Sequence, residues 1–171
     1  MKYGESIAPP LVLRPLNQAD APALQAVYQA SAAYFAFVWG EPPPSQQALS
    51  ELAAAHENDA RVLLGIFLTD ALVGVIDLLF GDDEPPDVRL GLVLLMPDFR
   101  RQGLGSWSLR ILEAWLGRDT PVERVMLSVL ALDHPAQAFF SATGYTYTGH
   151  TTRAVIGDSR PRLLEMSKVL G

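Results

Sequence analysis

The sequence contains no cysteine and only three histidines. Without cysteine, the chain can form no disulfide bond, no thiolate metal site and no cysteine nucleophile, which fits a reducing cytoplasm. The histidines, at positions 56, 134 and 150, are too scattered to form a metal site by themselves. Charged residues make up 19% of the chain, and the net charge is −6. No broad basic field is therefore available for binding nucleic acid.

A membrane-spanning run is also missing. The one apolar stretch of sufficient length, residues 62–81, is interrupted by Asp70 and Asp77. Each carboxylate would cost about 3 kcal/mol near the centre of a bilayer. Thr69 and Asp70 lie where a turn belongs, so a β-hairpin is the better interpretation. The first residues also lack the basic-then-apolar order of a secretory signal.

The chain has the composition of one folded domain, with 49% apolar residues in 171. Asn17 and Asp20 have the spacing of a helix capping box. Ser45 is expected to cap a second helix, and Gly117 is expected to end a third. Strands are predicted at residues 11–14, 61–69, 71–80, 87–96, 122–132, 145–156 and 162–170, and helices at 17–33, 45–56, 104–117 and 133–143.

A basic turn with two glycines joins an apolar strand to a helix. It reads Arg100, Arg101, Gln102, Gly103, Leu104, Gly105, and Ser106 follows it. Turns of this kind bring backbone N–H groups and the positive end of a helix dipole to a phosphate. The alternative is an ordinary connection with solvated arginines. A nucleotide-binding P-loop is a poor match, because no lysine stands between the last glycine and the serine.

Together with three other stretches, this turn resembles the GNAT superfamily of acetyl-CoA-dependent N-acetyltransferases. That family's turn has Arg or Gln, two residues, Gly, one residue, then Gly or Ala, and residues 100–105 fit it throughout. Residues 13–20, 93–97 and 136–145 match its opening, central strand and last helix. The resemblance covers nearly the whole chain. It implies a single α/β (α+β) domain over residues 1–171, with a mixed, mostly antiparallel sheet of six to seven strands flanked by four helices.

The resemblance also implies a binding site for acetyl-CoA. The pyrophosphate is expected on the amides of residues 101–106, and the central strand is expected to part from its neighbour near residues 93–95. Backbone groups exposed there would bind pantetheine and polarise the thioester carbonyl. A primary amine then attacks directly, with no acyl-enzyme. The residues expected to contact CoA are Val93, Leu94, Leu95, Arg100, Arg101, Gln102, Gly103, Leu104, Gly105, Ser106, Asp133 and Phe140.

The chain departs from the family pattern at the proton donor. Many members have a tyrosine as general acid where this chain has Phe140, and a phenyl ring donates no proton. Ser141, Tyr145, Tyr147 or a water are the alternatives. The thiolate can also leave unassisted, because a thiol has a pKa of only about 8.5.

A second departure concerns the base. Some members have a glutamate on the central strand where this chain has Arg89. Asp87 lies two residues earlier, on the same face of a strand, and is the first candidate for base or amine anchor. A solvated carboxylate is the alternative for Asp87. Asp133 stands where the family often has an asparagine that contacts pantetheine, and it is also well placed to cap a helix.

The sequence leaves the acceptor open between small molecules and proteins or peptides. The aromatic residues in 34–39 either pack in the core beneath a loop or wall the acceptor pocket. The acidic segment 82–84 either attracts a cationic amine or is a solvated turn. Dimerisation through the last strands is possible. The alternative function is a non-catalytic acyl-CoA-binding regulatory module, in which Phe140 reflects lost chemistry.

Overall fold

A computed structural model describes residues 9–171. Its strands are β1 (Leu11–Pro15), β2 (Arg61–Leu68), β3 (Ala71–Phe80), β4 (Asp87–Leu95), β5 (Arg124–Leu130), β6 (Thr146–Arg153) and β7 (Arg162–Val169). Its α-helices are α1 (Ala21–Ala30), α2 (Ala32–Trp39), α3 (Gln47–His56), α4 (Leu104–Asp119) and α5 (His134–Ala142).

The seven strands form one mixed sheet in the order β1-β2-β3-β4-β5-β7-β6. All neighbouring strands pair antiparallel except β4 and β5, which are parallel. The parallel pair is possible because α4 provides the crossover between the two strands. The predicted fold class and sheet are confirmed.

Apolar clusters cover both faces of the sheet. On one face, α4 and Phe140 of α5 pack against the central strands; on the other, α1, α2 and α3 pack against β2, β3 and the end of β4. The fully buried Leu112 and Leu116 of α4 lie one turn apart, as the spacing of an amphipathic helix requires. Two covered faces explain why β2, β3 and β4 are apolar along nearly their whole length.

The capping box forms as predicted. Ala19 N donates to Asn17 Oδ1 at 2.9 Å, and Asn17 N donates to Asp20 Oδ2 at 2.9 Å. The box begins a short 3-10 turn that leads into α1. Arg14 adds two hydrogen bonds to the carboxylate of Asp20, at 3.0 and 3.1 Å. This pair ties the end of β1 to the start of α1.

Three local predictions are wrong. The segment before α3 is not a loop: the chain breaks at Ser31 and resumes as α2, which gives five α-helices instead of four. Ser45 caps nothing; the amide of Ala48 is bound by the side chain of Gln25, at 2.9 Å. Gly117 lies inside α4, which continues to Asp119 because core packing outweighs the low helix propensity of one glycine.

The apolar stretch of residues 62–81 forms the hairpin of β2 and β3. Its turn is at Thr69, which has a positive φ of 52°. Among residues 9–171, no helix is long and apolar enough to cross a membrane. The same residues contain no cluster of His, Asp or Glu suited to holding a metal ion.

Candidate active site

β4 and β5 pair over only four positions and then separate. Their register runs from Asp87 opposite Arg124 to Leu90 opposite Leu127. Beyond these pairs both strands continue, β4 to Leu95 and β5 to Leu130, without pairing to each other. The expected separation of the central strand is confirmed, and it begins at position 91, slightly before the residues that the sequence indicated.

A β-bulge lies at the point of separation. Asp77 of β3 pairs with Leu92, whereas the next residue, Leu78, pairs with Leu90, so Gly91 is the extra residue. The bulge shifts the alternation of side chains along β4. Val93 and Leu95 therefore pack with the α4 cluster, whereas Leu92 and Leu94 pack with the cluster under α1 to α3.

The gap between the strands opens into a cavity of about 930 Å³. This volume lies within the usual range for small-molecule sites. Its lining includes residues of β4 and β5 at the separation, together with Asp133, Ala136 and Phe140. It also includes Tyr34 and Trp39 of α2 and the segment 41–44 that leads to α3.

A short 3-10 turn, Pro97–Phe99, leads from the end of β4 to the glycine turn. Arg101 and Gly103 both have positive φ, of 61° and 79°. Gly103 is the N-cap residue of α4 and supplies no side chain to the unpaired amides of the first turn. A Cβ on Gly103 would meet nothing within 4 Å, so the space above the turn is open. The amides and the helix dipole suit an anion there.

Some side chains of the turn stabilise the turn itself. Arg100 Nε donates to the carbonyl of Leu95 at 2.9 Å, and Gln102 Nε2 donates to the carbonyl of Asp98 at 2.9 Å. Leu104 is buried in the core. Within residues 9–171, the guanidinium of Arg101 takes part in no hydrogen bond or ion pair, which leaves it available for a ligand.

Gly105 has a packing role. A Cβ there would stand only 3.1 Å from Cζ of Phe139 on α5. The missing side chain therefore lets α5 pack closely against the first turn of α4. The sequence had assigned this glycine to the approach of a phosphate alone, and this contact gives a second reason for it.

Asp133 and Phe140 both line the cavity. Asp133 Oδ1 accepts a hydrogen bond from Ala136 N at 3.1 Å and so caps α5, as the sequence suggested. The ring of Phe140 is buried and packs edge-to-face with Phe139 and Tyr145. Position 140 thus presents an apolar ring to the gap.

The three side chains suggested as replacements for a tyrosine at position 140 do not line the cavity. Tyr145 is buried behind Phe140, and its hydroxyl has no hydrogen-bond partner in the described chain. Tyr147 donates its hydroxyl to Gln137 Oε1 at 2.8 Å, and Ser141 is exposed. Tyr34 does line the cavity. Burial raises the pKa of Tyr34, and nearby Asp133 contributes to the increase, so its hydroxyl stays protonated.

Asp87 is not brought to the cavity. It lies at the paired end of β4, and its Oδ2 is 3.6 Å from Nη2 of Arg124. Arg89 does line the cavity, and its Nη2 reaches Glu165 of β7 at 3.2 Å. Burial alone would raise the pKa of Glu165, but hydrogen bonds from Thr148 and Arg89 outweigh burial and lower it. The pair with Arg124 gives Asp87 a structural role.

Sequence reasoning missed a charged group on the floor of the cavity. Arg61 donates from Nε to Asp77 Oδ1 at 3.0 Å and from Nη2 to Asp77 Oδ2 at 2.8 Å, and it also contacts Glu51. Gln47 Nε2 donates to the free oxygen of Glu51 at 2.8 Å. One feature of the sequence could have revealed this group, namely an aspartate, Asp77, inside the apolar run of β3. The register of the hairpin places Asp77 opposite Leu63, which is two residues from Arg61.

The comparisons agree with the fold. A family model described as "Acetyltransferase (GNAT) family" matches residues 24–145. An acetyltransferase from Thermus thermophilus is 30% identical, with a TM-score of 0.80 over 94% of this chain and 97% of that one. A comparison with curated proteins finds no match.

Two more distant structures show the fold alone. An acetyltransferase from Salmonella typhimurium that modifies the N-terminal serine of the ribosomal protein L7/L12 is 15% identical, with a TM-score of 0.85 over 96% of this chain and 97% of that one. A spermidine N-acetyltransferase from Vibrio cholerae, bound to CoA and spermine, is 16% identical, with a TM-score of 0.77 over 94% and 96%. Since the family model covers more than half of the sequence, this chain belongs to the GNAT acetyltransferase family, whose members are enzymes that transfer an acetyl group from acetyl-CoA to an amine.

Proposed function

We propose that acetyl-CoA lies along the gap between β4 and β5, with its pyrophosphate on the glycine turn. The amides of residues 101–106 and the start of α4 supply donors and a positive dipole. Arg101 adds a free guanidinium, and Arg100 acts through its bond to Leu95, which holds the turn at the end of β4. Gln102, Leu104, Gly105 and Ser106 contribute through their backbone.

Pantetheine then pairs with the open edge of β4. Met96 N donates to the carbonyl of Val73 on β3. Counting back along β4 from Met96, the backbone N–H and C=O groups of successive residues point alternately toward β3 and toward the gap. Val93 and Leu95 direct their backbone groups into the gap, and Arg100 already occupies the carbonyl of Leu95. The N–H of Val93 is therefore the donor that polarises the thioester carbonyl. Leu94 contributes by packing β4 against the opposite core.

The acetyl group passes directly to the acceptor. The acceptor's ammonium gives one proton to solvent, and the neutral nitrogen attacks the thioester carbon. The C–N bond forms, the C–S bond breaks, the CoA thiolate leaves, and the nitrogen gives its second proton to solvent as the amide forms. Phe140 donates no proton. Two tyrosines line the cavity, Tyr28 and Tyr34, and Tyr34 is the one whose pKa is raised by the charge of Asp133 as well as by burial. Tyr34 donates its hydroxyl proton to the thiolate and recovers one from solvent.

The acceptor binds beneath α2 and α3 as a cation. The cavity lining has four carboxylates, from Glu41, Glu51, Asp77 and Asp133, against two guanidinium groups, so its field favours a positive ligand. Aromatic rings from α1 and α2 form the apolar part of the wall. A protein N-terminus and a polyamine, the acceptors of the two distant relatives, are both cationic amines.

We further propose that residues 1–171 form one domain working in the cytoplasm. The lack of cysteine supports a reducing compartment.

A homodimer would pair through the outer edge of β6, where all eight residues are exposed.

The separation of β4 and β5, with the glycine turn following the end of β4, carries this proposal, and CoA release tests it. The protein is incubated with acetyl-CoA and a panel of spermidine, 2-phenylethylamine and peptides beginning with serine or alanine. Free thiol is measured with a chromogenic disulfide. We expect release that depends on an amine. Tight CoA binding without release across the panel would favour a regulatory acyl-CoA-binding module.

A further inference from the structure

Asp77 lies on β3 beside the point where β4 parts from β5. It pairs with Leu92, the residue between Gly91 and Val93. A Cβ on Gly91 would stand 3.6 Å from both Cγ and Oδ2 of Asp77. Because Gly91 has no side chain, nothing from the bulge covers this carboxylate, and it lines the cavity.

Arg61 fixes the orientation of this carboxylate. Two hydrogen bonds, from Nε and Nη2, hold both oxygens of Asp77 against the guanidinium. Arg61 also contacts Glu51, so one cation is shared between two carboxylates. The three side chains together retain one negative charge, in a place where each is between 19% and 28% exposed.

The surroundings leave this negative charge unbalanced. Burial raises the pKa of Tyr28, and the charges of Glu51 and Asp77 add to the effect, so the phenol stays neutral. The other guanidinium that lines the cavity, on Arg89, is paired with Glu165. A ligand cation is therefore the natural partner for the charge of the Asp77 group.

The location also matches the reaction. Asp77 is level with Leu92, directly before the Val93 amide that we assign to the thioester carbonyl. A cation bound to Asp77 would lie in the same cavity that Val93 lines. Asp87, by contrast, lies at the far end of β4, in the paired region.

We infer that Asp77, held in place by Arg61, binds the ammonium group of the acceptor and selects cationic amines. This inference rests on the proposed function, since it takes the acetyl group to lie at the separation of β4 and β5. It makes Asp77 a specificity-determining residue and Arg61 a positioning residue.

Amine binding to the CoA-saturated protein tests the inference. Calorimetry is performed with spermidine, 2-phenylethylamine and the serine and alanine peptides on wild type, Asp77→Asn and Asp87→Asn. Asp87→Asn is the matched control, because it removes a carboxylate from the same sheet outside the cavity. For the amine that binds wild type best, we expect Asp77→Asn to weaken binding at least about tenfold, as for a hydrogen bond to a charged group. CoA affinity should change less than about twofold, and the control should match wild type.

Equal amine affinity in wild type and Asp77→Asn would overturn the inference, as would the absence of binding by every amine. If Asp77→Asn does not fold, a crystal structure of wild type with CoA and the best amine gives the answer. The nitrogen of the bound amine should lie within about 3.2 Å of a carboxylate oxygen of Asp77. An amine nitrogen bound elsewhere would overturn the inference. Failure of the proposed function looks different: wild type would then release no CoA, whatever its affinity for amines.

Discussion

Leu90 of β4 and Leu127 of β5 are the last residues that pair across the centre of the sheet. Both are buried, at 5% and 2% exposure, so the junction is anchored in the core before the strands part. This anchoring matters because the facing backbone edges of β4 and β5 have unpaired N–H and C=O groups, which could otherwise pair with each other and close the gap. The gap above these leucines is thus a fixed feature of the fold, and the glycine turn lies at its upper end.

The charge of a single side chain at the glycine turn should decide CoA binding. Gly103→Asp places a carboxylate in the open space above the turn. Like charges about 4 Å apart repel by about 4 kcal/mol near a protein surface, equivalent to about a thousandfold in affinity. We expect calorimetry to detect no binding of acetyl-CoA to Gly103→Asp.

Gly103→Asn is the control for this change. Asparagine has nearly the same shape and tolerates the positive φ at this position, but it carries no charge. It should bind acetyl-CoA within about tenfold of wild type, about 1.4 kcal/mol. Equal loss in both variants would show that backbone strain, not charge, is responsible.

The hydroxyl of Tyr34 should matter for turnover and not for CoA affinity. Tyr34→Phe keeps the ring in the cavity wall and removes the proton donor. General acid catalysis contributes about 100-fold or more, so kcat should fall by about that factor with the acetyl-CoA dissociation constant unchanged. Steady-state kinetics and calorimetry measure the two quantities.

Tyr145→Phe is the comparison for Tyr34. Its hydroxyl is buried without a partner, away from the cavity. Removing it should leave kcat unchanged. It should not lower the free energy of unfolding, because the substitution removes a buried hydroxyl that has no hydrogen-bond partner. If Tyr34→Phe retained full kcat, the thiolate would have to leave without a protein acid.

The floor of the cavity should also contribute to stability. Arg61→Met leaves Glu51 and Asp77 facing each other, partly buried, without their shared cation. We expect a loss of about 2 to 3 kcal/mol in urea unfolding, near the lower end for a broken buried pair. Arg118→Met breaks an exposed pair with Asp119 and should cost less than about 0.5 kcal/mol. Equal losses would mean that the cavity group has no special role in the fold.

Low pH should weaken the ion pair between Arg14 and Asp20 that ties β1 to α1. The hydrogen bond from Arg14 is the main reason that the pKa of Asp20 lies below its usual value of 3.8. The charged form is therefore favoured by folding, and its contribution is complete above that value and is lost as pH falls through the lower, folded pKa. Asp20→Asn should cost about 1 kcal/mol at pH 7, as for a lost cap.

The difference between wild type and Asp20→Asn should shrink as pH falls below the usual pKa of an aspartate, about 3.9, and should vanish once the carboxyl is protonated in the folded protein. Chemical unfolding at a series of pH values measures it. A difference that stayed constant across this range would mean that the carboxylate charge does not stabilise the link.

The sequence predicted features that depend on neighbouring residues. The capping box at Asn17 and Asp20, the cap at Asp133 and the succession of strands along the chain follow from side chains a few positions apart. The break at Ser31 was not visible, because residues on both sides of it are good helix formers and tertiary packing separates α1 from α2.

The charged floor of the cavity shows why the site was predicted only in part. Counting along β4 made Asp87 the first candidate for base or amine anchor, because it lies two residues before Arg89 on the same face of the strand. The bulge at Gly91 and the register with β3 instead bring Asp77 to the separation, from a different strand. Such a pairing depends on long-range register, which a single sequence does not specify.

The most direct test of the account is a crystal structure of the protein with CoA bound. We expect the pyrophosphate within hydrogen-bond distance of the amides of residues 101–106, and the pantetheine between β4 and β5 with an oxygen on the N–H of Val93. CoA bound elsewhere, with the gap above Leu90 and Leu127 unchanged and empty, would contradict it.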